Sequence, residues 1–210
     1  MTTRLRGLPP GRAGRMWLSR RLTVATRGGD LLEQKLRILM AEEQDFSLLV
    51  ERTQVAWTDA ARALDGWLLR SALLSGERAL RLACDGESAG VDIEWRLTMG
   101  ARYPAAADCT IPDRPATAFT PDNTALRHAI SAAEQALRAG VDHAVATAAL
   151  ASVQQEISAT RRQLRAIRDR WIPRLESAHD ELMIALDEQE HDEQVRLRWA
   201  AGPSGSRRQP

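Results

Sequence analysis

The stretch "LSRRLTVATRGGDLLEQKLRILMAEEQDFSLLVERTQVAWTDAARALDGW", residues 18–67, carries apolar residues at alternating intervals of four and three. Stepping through it in this way from Leu18 to Trp67 meets fifteen positions, and twelve of them are apolar. A repeat sustained over seven heptads is typical of a coiled-coil seam and not of the face of a short globular helix. It predicts a long N-terminal helix over residues 14–80, preceded by a tail over residues 1–13.

The same repeat returns in the C-terminal half and predicts a second long helix over residues 122–199. The spacing slips after Trp171, because Leu175 follows at a step of four where three is due. Pro173 lies in this slip, and proline both removes a backbone hydrogen bond and clashes with the carbonyl four residues earlier. We therefore expect a bend in a helix that continues, with termination at Trp171 as the alternative.

The charge pattern predicts how the two helices meet. Residues 1–29 hold seven arginines and no acid, whereas residues 176–193 hold eight acids and no Lys or Arg. Residues 161–170 hold five arginines and one acid, and residues 42–51 hold four acids. Both matches predict one antiparallel pairing in which the numbers of facing residues add up to about 210. Solvated helix faces with unpaired charges are the alternative interpretation.

Apolar residues that keep the helical spacing form the predicted seam. They are Leu32, Leu36, Leu39, Phe46, Val50, Ile157, Leu164, Ile167 and Leu182. The seam stabilises the pair, while exposed ion pairs contribute only about 0.3–1 kcal/mol each and select orientation and register. The predicted fold is thus all-α, a long antiparallel two-helix coiled coil.

Residues 81–121 break the helical pattern with Gly, Pro and β-branched residues. The apolar side chains of Val91, Ile93, Trp95 and Leu97 alternate along the chain as in a half-buried strand, which predicts a small β-hairpin at the tip, followed by a Pro-rich arm. Asp122 or Thr120 is expected to cap the second helix, with a weak point at Gly140, and residues 200–210 are expected to be a disordered tail.

Composition excludes several classes of function. The formal net charge of +1 gives no overall electrostatic attraction for nucleic acid. A basic stripe formed by Arg161, Arg162, Arg165 and Arg168 has no aromatic residues between its arginines for stacking on bases. No run reaches the roughly 18 apolar residues that a membrane span needs, so we expect a cytoplasmic protein without direct membrane insertion. Cys84 and Cys109 suggest unpaired thiols. Neither a phosphate-binding Gly loop nor histidines at metal-site spacing occur, so no cofactor, metal or catalytic residue is predicted.

Three segments together resemble the D subunit, the central rotor shaft, of V-type and archaeal A-type ATPases. They are "RLTVATRGGDLLEQKLRIL" near the N-terminus, "MGARYP" in the middle and "EISATRRQLRAIRDRWIPRLE" near the C-terminus. The resemblance covers about residues 8–199, in the order of the family. Its most specific residues are Met99, Gly100 and Pro104, then Thr160, Arg161, Arg162, Ile172, Pro173 and Arg174.

The resemblance implies a non-catalytic central stalk subunit that transmits torque between ATP hydrolysis or synthesis in a catalytic head and ion translocation in a membrane ring. Implied partners are the catalytic and non-catalytic nucleotide-binding head subunits, a small central-stalk subunit and a socket subunit on the ring. The implied location is the cytoplasmic face of the plasma membrane. A free-standing coiled-coil adaptor or chaperone is the alternative function.

Seven residues of the central and C-terminal matched segments are the expected interface with the head or a partner subunit. They are Arg161, Arg162, Arg165, Pro173, Arg174, Met99 and Gly100.

Overall fold

The computed structural model describes residues 9–83, 88–112 and 123–200. Its elements, in chain order, are helix α1 (Gly11–Ala83), strands β1 (Gly90–Thr98) and β2 (Ala101–Thr110), helix α2 (Thr124–Arg165), a π-helix (Ala166–Trp171) and helix α3 (Ile172–Ala200). The described chain is therefore mostly helical with one two-stranded antiparallel sheet, as predicted. The predicted C-terminal tail from residue 201 on, the first eight residues and most of the Pro-rich arm lie outside the described residues.

The chain divides into two compact units. The central unit comprises residues 35–159, and the terminal unit comprises residues 1–34 and 160–210. Within α1, Gly76 has non-helical backbone angles (φ 71°, ψ 166°), a region essentially restricted to glycine.

In the central unit, α1 and α2 pack side by side in opposite directions. Two stacked ring pairs show this: Trp57 lies against His143, with ring centroids 5.4 Å apart, and Trp67 lies against His128 at 4.5 Å. The core of the unit lies further along the same pair and includes residues of both helices and of β2. Its buried members are Leu39, Ala101, Tyr103, Ala149, Val153 and Ile157.

Asn123 caps the start of α2, because its Oδ1 accepts a hydrogen bond from the Ala125 N–H at 2.8 Å. The predicted caps, Asp122 and Thr120, lie outside the described residues. α2 continues through Gly140 without a break. A Cβ at Gly140 would lie 3.3 Å from Nε1 of Trp57, so the glycine makes room for the indole ring.

The predicted hairpin is present, but its first strand, β1, is not half-buried. β1 and β2 pair from Gly90 opposite Thr110 to Thr98 opposite Ala101, with an irregularity after Glu94. Ala101 and Tyr103 of β2 are buried, whereas β1 is exposed from its first residue to Leu97. The prediction of burial for β1 is therefore wrong within this chain, because it is β2 that contributes the buried residues of the core.

In the terminal unit, the N-terminal part of α1 packs against the π-helix and α3. Leu18 and Leu175 are buried there. A Cβ at Gly14 would lie 3.1 Å from Cδ2 of Leu182, and one at Gly29 would lie 4.0 Å from Cγ2 of Ile167. Residues nearer the start of α1 thus contact residues nearer the end of α3, so the two helices run antiparallel, as predicted.

The predicted register is wrong. Gly29 meets Ile167 in the terminal unit, and Trp57 meets Gly140 and His143 in the central unit. The numbers of facing residues therefore add up to roughly 196–200 in both units, where the charges predicted about 210. Arg12 forms an ion pair with Glu190 at 2.9 Å, so the predicted match between residues 1–29 and residues 176–193 is present. Arg168, in contrast, pairs with Glu33 and not with the acids of residues 42–51. Exposed charges are too weak to set the register against side-chain packing.

The register can be tested by disulfide crosslinking in a chain whose native cysteines are replaced by serine. We expect Gly29→Cys with Ile167→Cys to crosslink within one chain at least about ten times faster than Gly29→Cys with Glu181→Cys, because disulfides need Cβ atoms about 4 Å apart. The second pair represents the register that the charges predicted. Mass spectrometry after mild oxidation measures the yield, and faster crosslinking of the second pair would contradict the observed register.

Candidate interaction surfaces

A row of arginines follows the end of α2, the π-helix and the start of α3. Its members, all exposed, are Arg161, Arg162, Arg165, Arg168, Arg170 and Arg174. One acid, Asp169, lies among them between residues 160 and 175. We call this set the arginine row. Such a concentration of like charge attracts acidic segments of other molecules and speeds their association.

The π-helix accommodates the slip in the apolar spacing that the sequence shows at this point. The backbone N–H of Ile172 donates to the carbonyl of Ile167, five residues earlier, in place of the usual four. A π-helix adds one residue to a turn, so the apolar series can resume with Leu175 facing inward, where it is buried. The helix continues as α3, which makes termination at Trp171 wrong.

Pro173 is the second residue of α3 and is exposed. Its carbonyl accepts a hydrogen bond from the Ser177 hydroxyl at 2.9 Å. Because proline has no N–H, it fits best where the regular ladder is already altered, and the π-helix immediately before it supplies that place. The bend expected from the sequence stays a prediction.

Contacts within the terminal unit hold part of the arginine row in place. Arg168 pairs with Glu33 of α1, and Nε of Arg165 donates to the Arg161 carbonyl at 3.4 Å. Arg162 extends into solvent one position after Arg161. The arginine row thus contains guanidinium groups that are held by contacts within the chain, such as that of Arg168, and others that extend into solvent, such as that of Arg162.

Met99 and Gly100 form the two-residue turn of the hairpin. Their φ values are 50° and 87°, both in the left-handed region that two-residue hairpin turns require. Beneath the turn lies an ion pair that the sequence did not predict, between Lys35 Nζ and Glu156 Oε1 at 2.5 Å. A Cβ at Gly100 would lie 3.6 Å from that Nζ. The signal available in the sequence was that Lys35 is its only lysine.

Replacing Met99 by asparagine should stabilise the protein by about 0.5–1 kcal/mol, because asparagine tolerates positive φ better than methionine does. Met99 is 48% exposed, so little packing is lost. Urea unfolding followed by circular dichroism measures the change. Asparagine in place of the neighbouring Thr98, which is in β1, is the matched control and should not stabilise. A loss of stability in Met99→Asn would show that the methionine side chain packs within the chain.

The predicted seam residues all lie at least partly buried. Leu39 and Ile157 are 0% and 2% exposed, and the other seven are intermediate. That these residues form one continuous seam stays a prediction. Thr160, which belongs to the family motif, is also fully buried.

The described residues contain no group of three or more His, Cys, Asp and Glu side chains that could hold a metal ion. None of the described helices has an apolar stretch long enough to cross a membrane. The described residues thus form a mostly helical protein that presents a row of exposed arginines and a tight hairpin turn.

Comparison with known proteins gives this class a family. A profile of the ATP synthase D-subunit family matches residues 16–202. The D subunit of the A-type ATP synthase of Methanobrevibacter smithii is 27% identical over 198 residues, which cover 91% of this chain and 85% of the relative. The corresponding protein of Methanopyrus kandleri is 26% identical over 200 residues, covering 92% and 85%.

The chain belongs to the ATP synthase D-subunit family. It is therefore a central stalk subunit of the A/V-type rotary ATPases, and a free-standing adaptor or chaperone is not favoured.

Proposed function

We propose that this chain is the torque-bearing shaft of its rotary ATPase and has no catalytic site of its own. Family membership over residues 16–202 is the observation that carries the proposal. In it, α1 and the helices from α2 to α3 form one long antiparallel coiled coil. The opposite directions of the helices within each unit support this arrangement. Small-angle scattering of the isolated chain should give a maximum dimension far above that of a compact globule.

The proposed partners are the catalytic and non-catalytic head subunits, a small central-stalk subunit and a socket subunit on the membrane ring. The arginine row and Pro173 form the proposed contact with the head, and Met99 with Gly100 forms the proposed contact at the other end. The basic charge of the row supports a head contact through acidic loops. The complex is proposed to lie on the cytoplasmic face of the plasma membrane. Since both relatives belong to A-type ATP synthases, synthesis of ATP is proposed as the working direction.

Coupling in membrane vesicles tests this function. Complex purified through a tag on this chain should hydrolyse ATP and pump ions, and complex assembled without the chain should not pump. Arg162→Glu with Arg165→Glu should reduce pumping severalfold, because reversed charges repel acidic loops. Arg52→Glu, an exposed site on α1 of the central unit, is the matched control and should pump normally. Full pumping without this chain would contradict the shaft function.

A further inference from the structure

β1 exposes a continuous row of large apolar side chains. Val91, Ile93, Trp95 and Leu97 are 45%, 47%, 50% and 69% exposed. They share one face of the strand, because alternate residues of a strand point the same way. Tyr103 and Ala101, paired with Arg96 and Thr98, belong to the opposite face and pack into the core. We call the four residues the β1 row.

A row of this kind is unusual on a surface that faces only water. Single exposed apolar residues are common, whereas a contiguous strip of large ones marks a binding surface. The alternation also predicts burial from the sequence, yet nothing in the described residues buries it. The only cation contact to the row that we find among the described residues is Arg102, whose guanidinium lies 4.7 Å from the ring centroid of Trp95.

We propose that the β1 row docks an amphipathic α-helix of another subunit of the same rotary complex. The proposal rests on the shaft function proposed above. The dimensions support a single helix: the row runs about 20 Å along the strand and the hairpin is roughly 10 Å wide. A helix of about four turns has that length and diameter.

The area of the row selects this occupant over a second free copy of the chain. Its footprint is on the order of 200 Å² by these dimensions, whereas a stable interface buries about 800 Å² per partner. The row alone cannot hold two independent molecules together. A subunit already held nearby by larger interfaces meets it at high effective concentration, so a small contact suffices.

One charge beside the row gives the helix a direction. Arg102 pairs with Leu97, so it shares the face of the row and lies at the end next to the turn. Its side chain is exposed. The docked helix therefore has an apolar face and acidic residues at the end toward the turn, because opposite charges across an interface fix its orientation.

Photo-crosslinking within the purified, ATP-hydrolysing complex tests the contact. Benzoylphenylalanine placed at Ile93 or at Leu97 should crosslink to one helical segment of another subunit, identified by mass spectrometry. The same probe at Glu94, on the opposite face of β1, is the matched control and should not reach that segment. Crosslinks from Ile93 and Leu97 to this chain, to a second copy of it or to no protein at all would overturn the proposal.

A paired substitution measures what the contact contributes. Ile93→Ser with Leu97→Ser should lower retention of the crosslinked subunit, or ion pumping, by about tenfold, since anchors of an apolar contact carry most of its energy. Asp92→Ser with Glu94→Ser should change either by less than about twofold. Both variants should keep the circular dichroism of the parent chain. Equal effects of the two double substitutions would overturn the proposed helix contact, and the shaft function would still stand if the complex remained active. Failure of the parent chain to assemble with any ATPase would overturn both the helix contact and the shaft function.

Discussion

Replacing Tyr103 by alanine is expected to lower the free energy of unfolding of the central unit by about 3–5 kcal/mol. Tyr103 is 3% exposed and lies where the hairpin meets the helix pair. Its ring meets Phe46 edge to face at 5.0 Å, and its hydroxyl lies 3.1 Å from the Thr98 hydroxyl. Removing the ring leaves a cavity between β2 and α1, so the hairpin loses its main attachment.

Tyr103→Phe is the matched control, because it removes the hydroxyl contact and keeps the ring. It should lower the free energy of unfolding by only about 0.5–1.5 kcal/mol. Urea unfolding followed by circular dichroism gives both values, and proteolysis of the hairpin gives a local measure. If the two variants lose the same stability, the ring does not anchor the hairpin and the core around Leu39 and Val153 holds without it.

Replacing Pro173 by alanine is expected to stabilise the isolated chain by up to about 3 kcal/mol and to impair the assembled motor. Alanine supplies an N–H that a preceding carbonyl can accept, so the wide turn of the π-helix is no longer favoured by the missing donor. Return to regular α-helix turns Arg174 about the helix axis relative to Arg161 and Arg165, and it also turns the buried Leu175, which limits the gain in stability. Contacts with the head should then be misplaced, and ions pumped per ATP should fall.

Thermal melting of the purified chain and pumping by the reconstituted complex measure the two halves of this prediction. Ser177→Ala is the matched control, because it removes the hydroxyl that bonds to the Pro173 carbonyl and leaves the proline in place. The purified Ser177→Ala chain should have the melting temperature of the parent chain, and the complex that contains it should pump as many ions per ATP as the parent complex. A stabilised Pro173→Ala chain that pumps normally would show that the motor tolerates the proline without using it. An earlier melt would show that packing around the ring stabilises α3.

The family and the main elements could be predicted from the sequence because their signals are local. Seven heptads of apolar spacing in residues 18–67 are enough to indicate a long helix, and α1 covers all of them. The slip around Pro173 marks the place where the backbone changes to a π-helix, since both depend on a few neighbouring residues. Alternation of apolar residues in β1 likewise indicates a strand of a small hairpin.

The register of the helix pair was decided only by tertiary packing. A heptad repeat matches itself when one helix slides by whole heptads, so the apolar pattern allows several registers. The charges favoured one that differs from the observed pairing by roughly two heptads. The observed register places Gly140 opposite Trp57, where an added Cβ would lie 3.3 Å from Nε1, and it places Gly29 within ordinary contact distance of Ile167. Such fits stabilise by close contact that no single helix reveals.

The face of the hairpin that packs within the chain was also a tertiary result. The alternation of residues in β1 indicates that one face of the strand is apolar, but it does not indicate what covers that face. In the folded chain Tyr103 and Ala101 of β2 reach the core, and the row from Val91 to Leu97 remains exposed. The sequence by itself determined which residues need burial, whereas only the fold decided which are buried inside this chain, because burial depends on the surfaces that helix packing brings together.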